Sequence, residues 1–321
     1  MSIKIIKPAV LDKFELGDSV YFQGTADHGI TTVKLFAEQY LLSTIAVTDG
    51  NWATAYPFNR AGKRHITARG YDTSDRDLAQ DTIDLIVNDD NLEILGIDVS
   101  NINPPIDWLT AAKTKKVTFA FAKASEGGTF KDAAYATNWA GMKAAGIIRG
   151  AYHFFRPIKS VDEQVANFIA MVGKLSPGDL PPVLDLENFP DDVKQQWESI
   201  TSVNERISRS QEWLEKVAAK LGKKPIIYTG PSFWSEFMDN TEALTEYPLW
   251  IANYKEDYQT SKPIVPGNNW GGKGYTFWQF TERGSVMGVK GVVDRNIFKG
   301  NLSKLLDLTG KYSGSSSAEV H

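Results

Sequence analysis

The stretch Pro181-Pro182-Val183-Leu184-Asp185-Leu186-Glu187 runs two acids into an otherwise apolar, strand-like segment. Residues two apart on a strand face the same side, with Cα atoms about 6.6 Å apart. Asp185 and Glu187 would therefore present two carboxyls to one small group. Carboxylates on apolar strands are costly to bury unless compensated, and clustered ones push at least one pKa upward. Such a pair can place a neutral proton donor beside an anion, as hydrolysis of a glycosidic bond requires. An isolated acid-x-acid triplet is more often solvated surface, so its setting decides its meaning.

Moving outward, strand-like runs alternate with helical ones from residue 91 on. The runs cover 94–99, 118–123, 150–155, 182–186, 225–228, 249–252, 275–280 and 292–296. Eight of them are what a closed, parallel-type β/α barrel needs. Helices between them carry start and stop signals. Ser160 with Glu163 and Ser202 with Glu205 are capping-box patterns, and Gly222 ends the stripe Val203, Ile207, Trp213, Leu214, Val217, Leu221. The Gly- and Pro-rich segment 255–274 reads as a loop, so the last helices of the barrel are expected to be reduced.

Reactive residues of such a barrel sit at the C-terminal ends of its strands. There the sequence offers Asp98, Asp185, Glu187 and Asp294, and the aromatics Tyr152, Tyr228, Trp250, Tyr254 and Trp278, on whose flat faces a saccharide could stack. Lys123 and Glu126 follow a strand and would orient the site or form an ion pair, with a structural pair favoured for Glu126. His153, between Tyr152 and Phe154, reads as a packed structural histidine.

Residues 13–88 have another rhythm. Short alternating runs are separated by the turn signals Asp27-His28-Gly29, Asp49-Gly50-Asn51 and Arg60-Ala61-Gly62, which predicts a small sandwich. Gly24-Thr25-Ala26, Asp49-Gly50-Asn51-Trp52 and the strand Ala68-Arg69-Gly70-Tyr71-Asp72 resemble bacterial immunoglobulin-like modules. The expected organisation is an α/β protein: an immunoglobulin-like sandwich over 1–90, a TIM-like β/α barrel with reduced last helices over 91–309, and a disordered tail over 310–321. The first module is assigned as a spacer or as a docking piece for the cell wall or a larger assembly.

Composition narrows the partners. A net charge of -4 with no long basic run argues against nucleic acid. The absence of cysteine excludes disulfides, thiolate zinc sites and cysteine nucleophiles, and the four histidines show no metal-binding spacing. No cofactor or metal is expected. No apolar run is long enough to span a bilayer, and the first twenty residues lack a signal-peptide core. A phage-type release or a dedicated export apparatus would then bring the chain to its target.

With these residues assembled, residues 95–306 resemble the family 25 glycoside hydrolases, the Chalaropsis-type muramidases. The matches run in order: GIDVS at 96–100, FAKASEG at 121–127, RGAYHFF at 149–155, LDLE at 184–187, IIYTG at 226–230, LWIANY at 249–254, WQF at 278–280 and VDRN at 293–296. The resemblance implies cleavage of the β-1,4 bond between N-acetylmuramic acid and N-acetylglucosamine in peptidoglycan glycan strands, by a monomer acting on the bacterial cell wall. It implies that Glu187 is the general acid and that Asp185 supports the reacting sugar, either by direct attack or by steering its acetamido group, with the second favoured. Asp98 and Asp294 match the other acids of the groove. A family 18 chitinase would carry a third alternating acid where Val183 stands. A non-catalytic wall-binding protein is the rival from a different class, and the intact acids speak against it.

Overall fold

The computed structural model describes residues 1–113, 117–255 and 257–310. The chain forms two compact units, Met1–Leu92 with Asn301–Leu305, and Glu93–Gly300 rejoined from Leu306 on. Asn301–Leu305 group with the first unit, where Asn301 Nδ2 donates to Asp90 and the Ser303 amide to Asn88 Oδ1. A contiguous split at residue 90 does not foresee that return. The expected disorder of 310–321 lies, from Lys311 on, outside the described residues. No helix among the described residues is long and apolar enough to cross a membrane.

The first unit holds strands β1 (Ile3–Lys7), β2 (Lys13–Glu15), β3 (Ser19–Ala26), β4 (Thr32–Ala37), β5 (Tyr40–Ala46), β6 (Asn51–Pro57), β7 (Gly62–Tyr71) and β8 (Asp77–Asn88). They form a three-stranded sheet, β1-β3-β6, and a five-stranded sheet, β2-β8-β7-β4-β5. Alternation sets the inner faces: Val20 and Phe22 of β3, and Val33 and Leu35 of β4, are buried with Trp52, Ile66 and Leu85 in one core.

In the second unit eight strands close on themselves: β9 (Ile94–Val99), β10 (Phe119–Glu126), β12 (Ile148–Phe154), β13 (Val183–Leu186), β14 (Ile226–Thr229), β15 (Leu249–Ala252), β16 (Phe277–Gly284) and β17 (Val293–Phe298). A two-residue strand, β11 (Phe130–Lys131), pairs with the end of β10. Between and after them lie α1 (Trp108–Lys113), α2 (Tyr135–Ala144), α3 (Val161–Val172), α4 (Asp191–Ser199), α5 (Val203–Leu221), α6 (Pro231–Met238), α7 (Pro266–Gly271) and α8 (Leu302–Leu308).

The expectation of an all-parallel barrel needs correction. Strands β9 to β16 are parallel neighbours, but β17 runs antiparallel to both β16 and β9. Only eight residues, 285–292, join β16 to β17, too few for the crossover that a parallel return requires. The reversal brings Asp294, the second residue of β17, to the rim where β9 and β13 end, opposite Asp98.

Alternation divides every barrel strand into an outward and an inward set. Ala120, Ala122, Leu184, Ile227, Ile251 and Trp278 pack outward into the core with Phe168, Trp213 and Phe233 of the helices. Inward, Phe119, Phe121, Phe277 and Phe298 plug the end opposite the acids, with ring centroids 5.1 to 5.9 Å apart. Gly96 and Gly150 make room for that plug: a Cβ on either would lie within 2.5 Å of the Phe119 or Phe121 ring.

The helix signals act as read. Ser160 and Ser202 accept from the amides of Glu163 and Glu205, and Gly222 closes α5 at φ 68°. Replacing Ser202 by alanine is expected to lower unfolding free energy by about 1 kcal/mol in urea denaturation; an unchanged midpoint would show that the cap contributes nothing. The segment read as a loop contains α7, whose residues Gly267–Trp270 have φ of 53° to 60° and so wind left-handed. L-residues disfavour that conformation. Here buried Trp270 anchors it, donating to Tyr247 O at 2.7 Å and packing against Trp234.

Candidate active site

The open end of the barrel is a cleft of 650 Å³ lined by Asp98, Lys123, Tyr152, Asp185, Glu187, Tyr228, Trp250, Tyr254 and Asp294. Asp98 lies near the end of β9, Asp185 near the end of β13, and Glu187 one residue beyond that strand. Two backbone contacts lock the end of β13: the Phe155 amide donates to Asp185 O at 3.0 Å, and Trp197 Nε1 to Glu187 O at 2.9 Å. Asp185 is 5% exposed, and its Oδ1 has no hydrogen-bond partner among the described residues. Glu187 is half-buried.

Burial dominates the electrostatics. It lifts Asp185 well above the usual carboxylate range, with the charge of Glu187 adding and Lys123 opposing. Glu187 is pushed up to about 7 by burial, again against Lys123. Asp98 is raised by burial against the hydrogen bonds of Asn296 and Gln279, and Asp294 rises to about 9 through burial and the neighbouring Asp98. Carboxyls crowded into one low-dielectric cleft cannot all ionise at neutral pH, so some stay available as acids.

Lys123 and Glu126 form the foreseen pair, at 2.7 Å, and Glu126 is also bound by Arg156, which reaches Asp192. The chain of ions leaves Lys123 Nζ 4.8 Å from the centre of the Phe154 ring, at the cleft wall. His153 is buried, faces Ser125 and Gln164, and stacks on Trp213. Burial pulls its pKa down to about 3, so it is a neutral packing residue.

The aromatic expectations hold only in part. Trp278 is not at the cleft: it points outward, 2% exposed, with its indole donating to Asn253 O at 2.7 Å. Strand period places its neighbour Gln279 inward instead, where the buried amide meets Asp98, Tyr228 and Tyr254. Trp250 lines the floor, but Phe121 stacks on it at 4.5 Å and Tyr228 meets it edge-on, leaving no free face for a sugar. Tyr228 is likewise buried. Tyr254, 48% exposed, keeps a face open. Ile102 and Phe189, not singled out in the sequence, line the rim and are largely exposed.

These raised carboxyls also set a pH dependence of stability. The folded protein retains protons on Glu187 and Asp294 that the unfolded chain releases near pH 4, so stability falls as pH rises through their folded values. His153 acts oppositely, but only below about 6.5, its unfolded pKa. Between pH 6.5 and 9 the unfolding free energy is expected to drop by on the order of 3 kcal/mol or more, through Asp294 together with Asp185 and Glu187. Urea titrations at the two pH values measure it, and a flat or rising trend would contradict the assignment.

Comparison with known proteins gives the chain its relatives. The family model for glycosyl hydrolases family 25 matches residues 97–289. The uncharacterized protein YegX of Escherichia coli is 38% identical over 216 residues, covering 66% of this chain and 72% of that protein. Lysozyme M1 of Streptomyces globisporus is 34% identical over 223 residues, covering 68% and 72%. The crystal structure of the bacterial lysozyme from Streptomyces coelicolor superposes with a TM-score of 0.62 at 33% identity, covering 69% of this chain and 100% of that one.

Proposed function

The chain belongs to glycosyl hydrolase family 25, and from that membership we propose that it is a peptidoglycan hydrolase of the muramidase type. The bond cut is the β-1,4 link between N-acetylmuramic acid and N-acetylglucosamine. The observation that carries this reading is the placement of Asp185 and Glu187, one strand period apart, on a single cleft beside two further acids.

Glu187 stands nearer the opening with its carboxyl protonated up to about pH 7, and it gives that proton to the glycosidic oxygen as the bond to the anomeric carbon breaks. Asp185, deeper and with one oxygen unpartnered, accepts the N–H of the sugar's acetamido group. The acetamido oxygen, so oriented, closes on the anomeric carbon as the leaving group departs. Water then opens that ring, losing its proton to the Glu187 carboxylate. A buried carboxyl lifted as far as Asp185 is a poor nucleophile at neutral pH, which favours this neighbouring-group route over direct attack. Tyr254 supplies a stacking face, and Lys123 holds Glu126 at the wall.

The reaction takes place on the cell wall, outside the cytoplasmic membrane, and the enzyme works as a monomer on glycan strands. The first unit, two sheets over one core, is read as an immunoglobulin-like spacer or docking module. The test is digestion of purified peptidoglycan, borohydride reduction of the products and mass spectrometry of the ends. New ends recovered as muramitol are expected. Glucosaminitol ends would overturn the bond assignment, and sedimentation with the wall without cleavage would favour a binding protein.

A further inference from the structure

Asp98 and Asp294 are Cα partners across the antiparallel pair β9–β17, and both line the cleft, which sets their carboxyls side by side. Two neighbouring carboxyls can hydrogen-bond to each other only if one of them holds a proton. The neighbouring amides decide which. An indole N–H is a donor and never an acceptor. Trp250 Nε1, buried in the floor, donates to Asn296 Oδ1 at 2.8 Å. That contact fixes the Asn296 amide, whose NH₂ must then point the other way, and it donates to Asp98 Oδ2 at 2.8 Å. Gln279 repeats the arrangement: its Oε1 accepts from Tyr228 at 2.8 Å and Tyr254 at 3.1 Å, and its Nε2 donates to the same Asp98 Oδ2 at 2.9 Å. An oxygen that receives two N–H groups is held as an acceptor, and charge-assisted bonds of this kind favour the anion.

We propose that Asp98 and Asp294 carry one proton between them and that Asn296 and Gln279 are positioning residues which keep it on Asp294. Asp98 is then the fixed anion of the cleft floor. Asp294, half-buried at the rim, is then the neutral carboxyl that donates to Asp98, with its other oxygen free to accept a hydroxyl or amide N–H of the glycan. The titratable groups around the pair are Tyr152, Asp185, Glu187, Tyr228, Tyr254 and Glu282, and the cations of the same cleft are Lys123, paired with Glu126, and Arg283, beside Glu282. The arrangement lowers the charge that four clustered acids would otherwise impose, and it gives two chemically identical side chains different tasks. The glycan contact rests on the muramidase reading; the location of the proton does not.

The experiment compares Asp294→Asn with Asp98→Asn, and both with the wild type. An amide at 294 keeps a donor toward Asp98, whereas an amide at 98 removes the anion. Turnover is expected to fall about tenfold in the first and about a thousandfold in the second. Trp250→Phe keeps an aromatic ring but removes the indole N–H and so frees the Asn296 amide; the acid limb of the pH–rate profile should move up by about one unit with KM little changed. Carboxyl carbon NMR of the wild type, which needs no substrate, should show one aspartic acid of the pair still protonated at pH 7, with that signal missing in Asp294→Asn. Equal losses in the two variants, the reverse order, or two ionised carboxylates at pH 7 would overturn the proposal. A wild type that cuts no peptidoglycan would instead sink the muramidase reading and leave the NMR result to decide the proton.

Discussion

Replacing Glu187 by glutamine is expected to lower turnover on peptidoglycan by about 10²- to 10⁴-fold, the usual contribution of a positioned general acid. The substitution preserves shape and removes only the transferable proton. The carbonyl that Trp197 holds belongs to the backbone and is untouched, so the end of β13 should keep its place. KM should change little, because a glutamine still fills the half-buried position beside the substrate. Stability above pH 7 should rise, since a carboxyl raised to about 7 no longer has to ionise inside the cleft. Release of reducing ends and thermal unfolding measured on the same sample check both halves. Full activity would remove Glu187 from the acid role, and a variant that fails to fold would show that the side chain is structural.

Asp185→Asn should produce a loss of similar size, about 10²-fold or more, through a different cause. Its carboxyl sits between the Phe154 and Tyr228 positions of the flanking strands, deep enough that one oxygen meets no donor. Only a group that changes protonation, or accepts a donor from the substrate, has reason to remain in so costly a place. An amide there would turn an N–H toward the acetamido group in place of the oxygen that accepts from it. Because the native carboxyl is lifted far above its ordinary range, the variant should be more stable than the wild type at pH 8. Lost activity together with gained stability is the signature of a residue kept for chemistry. A variant that is active and no more stable would mark Asp185 as an ordinary buried acid.

Much of this was legible because strand alternation is a property of sequence. Each barrel strand carries its apolar and its special residues at period two, which sets Asp185 and Glu187 on one face from the order of residues alone. Direction is not written in that pattern. An alternating strand reads the same whichever way it runs, and only the short link 285–292 separates β17 from its parallel siblings. The misplacement of Trp278 has a related origin. Period two says which residues share a face but not which face is inside, and bulk drew attention to the tryptophan. The stronger signal was Gln279, since an amide on a buried strand must find polar partners, and these lie only inside with the acids. Asn296 could have been placed by the same argument. The left-handed turn at Gly267–Trp270 offered no such clue: Gly-Asn-Asn names a turn, and only the burial of Trp270 fixes its hand.

The most direct test of proton donation by Glu187 uses two leaving groups. A sugar leaving as an alkoxide needs a proton, whereas dinitrophenolate does not. On a dinitrophenyl β-glycoside ending in N-acetylmuramic acid, Glu187→Gln should release dinitrophenolate with a kcat/KM within about tenfold of the wild type, while on the natural glycan strand kcat/KM falls by the full factor. Equal losses on the two substrates would mean that the carboxyl beyond β13 does not protonate the departing oxygen.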